Sequence, residues 1–89
     1  MKIAVVSRIS YDSLDTAIEL ANTADAKIVL LTDAVYMLNQ ITEDPGVAFH
    51  ALKEDLEKRL PETPSWVTPL EYADFVDLIM ADGSTIRNL

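Results

Sequence analysis

The chain has 89 residues, 49% of them apolar, which suits one domain with a real core and rules out intrinsic disorder. Fifteen acidic against seven basic residues leave a net charge of −8, a field that repels nucleic-acid phosphates and anionic membrane surfaces. With no cysteine and one histidine, a disulfide framework, a thiolate or imidazole-rich metal site and a cysteine nucleophile are excluded.

The opening run Ile3-Ala4-Val5-Val6 reads as a strand buried on both faces. It is too short for a signal-peptide core or a membrane span, which implies a cytoplasmic protein. Ser7 to Asp12 reads as a polar loop carrying Tyr11. Leu14, Ala17, Ile18 and Ala21 recur at helical spacing behind an N-cap at Asp12 or Ser13. Ile28-Val29-Leu30-Leu31 is a second buried strand. Thr32-Asp33 closes it and caps a short helix whose apolar face is Ala34, Val35, Met37, Leu38 and Ile41. Pro45 and Gly46 stop that helix.

Val47 to Leu52 reads as a third strand and Lys53 to Leu60 as a third helix, with Glu54–Lys58 and Asp55–Arg59 as favourable i,i+4 pairs. Ser65-Trp66-Val67 leaves room for a short strand. Thr68-Pro69-Leu70-Glu71 has the form of a capping box with proline at the first helical position. The helix it opens would turn Tyr72, Phe75, Val76 and Ile79 inward, and Ser84 to Leu89 reads as a tail holding Ile86 and Leu89. The order β-α-β-α-β-α-β-α predicts one α/β domain over residues 1–89. Its core would be a small, open, mostly parallel sheet of four or five strands with helices on both faces. A sheet this small has poorly shielded edges, which favours a homo- or hetero-oligomer.

No group of residues specifies a reaction. Gly46 and Gly83 are the only glycines, so dinucleotide and triphosphate loops are absent and no cofactor is expected. No metal ligands cluster and no catalytic residue is identified. Asp33 follows the second strand, where open α/β sheets place ligand groups, and reads either as a ligand contact or as a helix cap. His50 lies in or at the end of the third strand without a partnered nucleophile and reads as a structural or surface histidine, with a ligand or interface contact as the alternative. Ser7 and Ser10 follow the first strand, within reach of Asp33. Tyr36, Trp66, Ile86 and Leu89 are candidate interface residues, with core packing as an equal alternative for the aromatics.

Three segments together resemble the DsrH/TusB family. They are Val29-Leu30-Leu31-Thr32-Asp33-Ala34-Val35-Tyr36-Met37-Leu38, Phe49-His50-Ala51-Leu52-Lys53-Glu54-Asp55-Leu56-Glu57-Lys58-Arg59, and Val67-Thr68-Pro69-Leu70-Glu71-Tyr72-Ala73-Asp74-Phe75-Val76-Asp77-Leu78. Ala34 stands where the family usually has glycine, and Lys58-Arg59-Leu60 departs from its Ala-Arg-Gly. The resemblance implies a DsrEFH-like fold and a subunit of a complex that passes persulfide sulfur between carriers. The partners it implies are Cys-bearing DsrE/TusD-like and DsrF/TusC-like homologues and a small sulfur-carrier protein. The relay serves tRNA wobble-uridine 2-thiolation in one arrangement and dissimilatory sulfur metabolism in another. Some members carry cysteine in the first helix, at the position of Ala17 here. Since this chain has no thiol to hold a persulfide, a non-catalytic docking subunit is expected. The alternative is a stand-alone, self-associating domain that binds a small ligand through Asp33, His50 and Ser7.

Overall fold

The computed structural model describes residues 2–89. Five strands, β1 (Lys2–Val6), β2 (Lys27–Leu30), β3 (Phe49–Leu52), β4 (Val67–Leu70) and β5 (Thr85–Asn88), form one sheet in the order β4-β3-β2-β1-β5. Every neighbouring pair is parallel. The connections are α1 (Tyr11–Ala24), a 3-10 helix (Thr32–Gln40), α2 (Lys53–Arg59) and α3 (Tyr72–Met80). This is the open α/β sheet that the alternating runs predict, at the upper strand count.

Side chains alternate across each strand, and the two faces of the sheet carry separate cores. On the front face Ala4, Val6, Ile28, Leu30, Phe49, Ala51 and Val67 meet Leu14 and Ala17 of α1, the 3-10 residues Ala34, Val35, Met37 and Leu38, and Leu56 of α2. On the back face Ile3, Val5 and Val29 meet Phe75, Leu78 and Ile79 of α3. The front core is closed, whereas α3 buries no residue completely. Tyr72, expected to point inward, is 70% exposed, and Met80 at the other end of α3 is 75% exposed.

Several local expectations are corrected. Helix α1 starts at Tyr11, so Tyr11 lies in the helix, and the cap is Ser10, two or three positions before Asp12 or Ser13. Ser10 is extended (φ −153°), its Oγ accepts from the Ser13 N–H at 3.3 Å, and its carbonyl accepts from the Leu14 N–H at 3.0 Å. The capping box at Thr68 does not form: Thr68, Pro69 and Leu70 are strand residues paired with His50, Ala51 and Leu52. The main-chain ladder with β3 takes the segment that a local cap would have used. Proline is tolerated because β4 is an outer strand. Glu71 then precedes α3 without a side-chain cap bond and pairs with Lys53 at 3.5 Å. The expected cap at Thr32-Asp33 is also absent. Leu31 precedes the 3-10 helix, and its carbonyl accepts from the Ala34 N–H at 3.1 Å. Finally, the expected tail contains a strand, β5, whose ladder runs along β1.

Candidate functional site

Open α/β sheets bind ligands beyond the carboxyl ends of their strands. In this chain that edge is occupied by the protein's own side chains. Thr32 leaves β2 in the left-handed region (φ 50°), an unusual conformation for a β-branched residue. Two contacts hold it there. Its N–H donates to Asp55 Oδ2 at 2.9 Å, and its hydroxyl donates to the Ser7 carbonyl at 2.6 Å. Asp55 Oδ1 also accepts from Arg59 Nη1 at 3.1 Å, and Arg59 Nε reaches Asp33 Oδ1 at 3.2 Å. Strands β1 and β2 and helix α2 are thereby tied at one corner.

The parts of this network are not equal. The side chains of Asp55 and Arg59 are 13% and 22% exposed, whereas that of Asp33 is 64% exposed. The Asp55–Arg59 pair and the Thr32 hydrogen bond therefore carry the lock, and the Asp33 contact is a screened surface pair of small value. The structure thus gives Asp33 an arginine partner rather than a cap. Ser7 contributes only its carbonyl to the corner, and Ser10 is spent on α1. Sequence reasoning paired Asp55 with Arg59 through their spacing. It missed the role of Thr32, because a contact between residues 32 and 55 depends on how β2 and α2 are brought together.

His50 lies elsewhere, on the back face between Val29 and Thr68 in the register. Its Nδ1 is sealed from solvent and hydrogen-bonds to no partner among the described residues. Burial pushes its pKa below the ordinary value. The nearby Ile28 backbone opposes this in part, and the positive charge of Lys27 adds to it. The folded state therefore favours neutral imidazole. As pH falls through about 6.5 the unfolded chain takes up the proton first. His50 should cost the protein stability from there down to its own depressed pKa, and the difference should level off below it. Urea melts of the parent and His50→Leu between pH 7.5 and 5 should diverge on the acid side, with the variant losing less. Because the chain has a single histidine, its NMR titration reads the same shift directly.

Among the other candidates, Trp66 belongs to the core. It packs against the front cluster and meets Phe49 edge to face, with ring centroids 5.4 Å apart and planes at 74°. Leu89 is half-buried, packs on the same cluster, and its N–H donates to the Val5 carbonyl at 2.9 Å. Tyr36 and Ile86 are each 41% exposed. Asp33, His50 and Ser7 do not converge on one pocket. Two open cavities lie along the body and amino-terminal ends of the strands, one beside Lys2, Leu20 and Arg87 and the other beside Asn22, Lys27 and Gly46. Among the described residues no three carboxylate or imidazole groups gather as a metal centre would require.

Comparison with known families gives a match to the DsrH-like proteins. The model of the DsrH-like proteins covers residues 6–84, from the end of β1 to the residue before β5. The chain belongs to the DsrH-like family. No curated protein and no solved structure matches it. Within this family member, Ala17 is fully buried on the sheet-facing side of α1, so the helix position where the sequence resemblance implies cysteine in some members faces the core here. No helix among the described residues is long and apolar enough to cross a membrane.

Proposed function

We propose that this DsrH-like chain is a non-catalytic docking subunit of a cytoplasmic sulfur-relay complex. It would support persulfide transfer between Cys-bearing DsrE/TusD-like and DsrF/TusC-like subunits, toward 2-thiolation of the tRNA wobble uridine. One observation carries the reading: a DsrH-like domain matched over residues 6–84 lies in a chain whose 89 residues include no cysteine. A persulfide needs a thiolate to hold it, and methionine sulfur cannot form one. The carboxyl edge of the sheet supports the same reading, since the Asp55–Arg59–Asp33 network fills with internal pairs the place where a small-molecule site would sit. The contribution left to this chain is surface. Its acidic residues other than Asp55 are exposed, and the net charge of −8 suits steering of a basic carrier protein.

The test is co-expression with two Cys-bearing homologues, followed by transfer of 35S-persulfide from a donor. The chain is expected to co-purify with the homologues in a complex of defined mass. Label is expected on their cysteines and none on this chain, and omitting the chain should slow transfer. Covalent label on this chain would overturn the non-carrier role, and failure to associate would overturn the docking role.

A further inference from the structure

The two outer strands of the sheet are built differently. β4 contains Pro69, which has no N–H to offer a further strand. β5 contains no proline, and all four of its residues, Thr85 to Asn88, are exposed. Its hydrogen-bonding direction follows from one contact. Leu89 donates its N–H inward to the Val5 carbonyl, so by strand alternation the backbone groups of Ile86 and Asn88 face outward. Unpaired main-chain groups on an exposed edge are a template for another strand.

Two further features lie on the front side of this edge. A cavity of about 170 Å³ opens between α1 and the β1–β5 ladder, with Ala4, Leu20 and Ala24 in its wall and Lys2, Thr85 and Arg87 around it. Of the seven cations in the chain, Lys53, Lys58 and Arg59 are held in ion pairs; Lys2, Arg8, Lys27 and Arg87 form none among the described residues, and of these Lys2 and Arg87 lie together at this edge. On a chain of net charge −8 these two mark a basic, apolar-centred spot beside an open strand edge.

We propose that the outer edge of β5 docks an extended acidic segment of a partner protein as a sixth strand, with one aliphatic side chain in the α1–β5 cavity and a carboxylate on Arg87. Strand addition is a recurring mode of peptide recognition, in which the main chain supplies affinity and pockets for alternate side chains supply specificity. Charge decides the occupant. A basic strand would meet Arg87 and Lys2 directly. A second copy of this chain would bring its own Arg87 to the same edge and another −8 of net charge. The proposal stands apart from the sulfur-relay reading, because β5 lies outside the family-matched residues and the binding is measured on this chain alone.

The probes are two ten-residue peptides with threonine at every second position, the positions between alternating valine with glutamate in one and valine with lysine in the other, so that both side-chain types share one face of the added strand; residue-resolved amide exchange reads the binding. The glutamate peptide should slow exchange at Ile86 and Asn88 at least tenfold at saturation, and the lysine peptide should not. Arg87→Glu should reverse that preference. Ile86→Pro removes only an outward-facing donor, so it should abolish binding while the inward Leu89 amide stays protected as a check on folding. Equal protection by both peptides, or none from the glutamate peptide, would overturn the proposal. Protection that appears without peptide and rises with protein concentration would overturn it in favour of self-pairing.

Discussion

Phe49→Ala should lower the unfolding free energy by about 3–5 kcal/mol, the usual cost of removing a buried aromatic side chain. Phe49 is 1% exposed and sits on β3 in the middle of the front core, with its ring against Trp66. Neighbouring helices can close only part of the space left behind, because they are themselves held to the sheet. A domain of this size has roughly 4–13 kcal/mol in hand, so the variant should populate unfolded chain at temperatures where the parent is intact. Urea melts followed by the fluorescence of Trp66, the one tryptophan, would measure the loss. Trp66→Ala, followed by circular dichroism, should cost less, because Trp66 is only half-buried. Equal melts for the parent and Phe49→Ala would mean that the front core is not packed as described.

Asp55→Ala is the second large effect, at about 1.5–3 kcal/mol, the range for hydrogen bonds to a charged group. The carboxylate meets two donors at once, the Thr32 N–H at 2.9 Å and Arg59 Nη1 at 3.1 Å. Removing it leaves a mostly buried guanidinium short of a partner and a left-handed threonine without one of its two restraints. Asp33→Ala removes a contact of the same arginine but from an exposed carboxylate, and should change stability by no more than about 0.5 kcal/mol. The contrast between the two melts tests whether the corner is a structural lock centred on Asp55. If Asp33→Ala proves the costlier change, the weight has been placed on the wrong acid.

What could be read from the sequence depended on how local each signal was. β1 and β2 were legible because a strand buried on both faces is an unbroken apolar run, as in Ile3 to Val6 and Ile28 to Leu30. β5 was not, because Thr85, Ile86, Arg87 and Asn88 are all exposed and become a strand only by pairing with a segment at the other end of the chain. The Thr68–Glu71 pattern misled for the same reason: the local preference for a cap was real, and a ladder to β3 replaced it. At the candidate site, the position of Asp33 just past the second strand was legible, because it follows directly from where the apolar run ends. Its partner Arg59, 26 positions away, depends on where α2 lies against β2, which no local pattern in the sequence records.

The β1–β5 ladder also bears on how the chain reaches its fold. The register joins Lys2 to Thr85, whereas β1 meets β2 through Ile3 and Lys27. Closing the longer loop costs about 1 kcal/mol more in chain entropy than closing the shorter one. Contacts between residues this far apart in sequence also slow folding. During synthesis β1 can pair with β2 early, but its other edge stays open until residues 85–88 have left the ribosome. Until then Ile3 and Val5 lack β5 beside them, so the nascent chain carries an uncovered apolar edge up to that point. Any step that removes or delays the last strand would expose that edge again, making the β1 segment the natural starting point for misassembly.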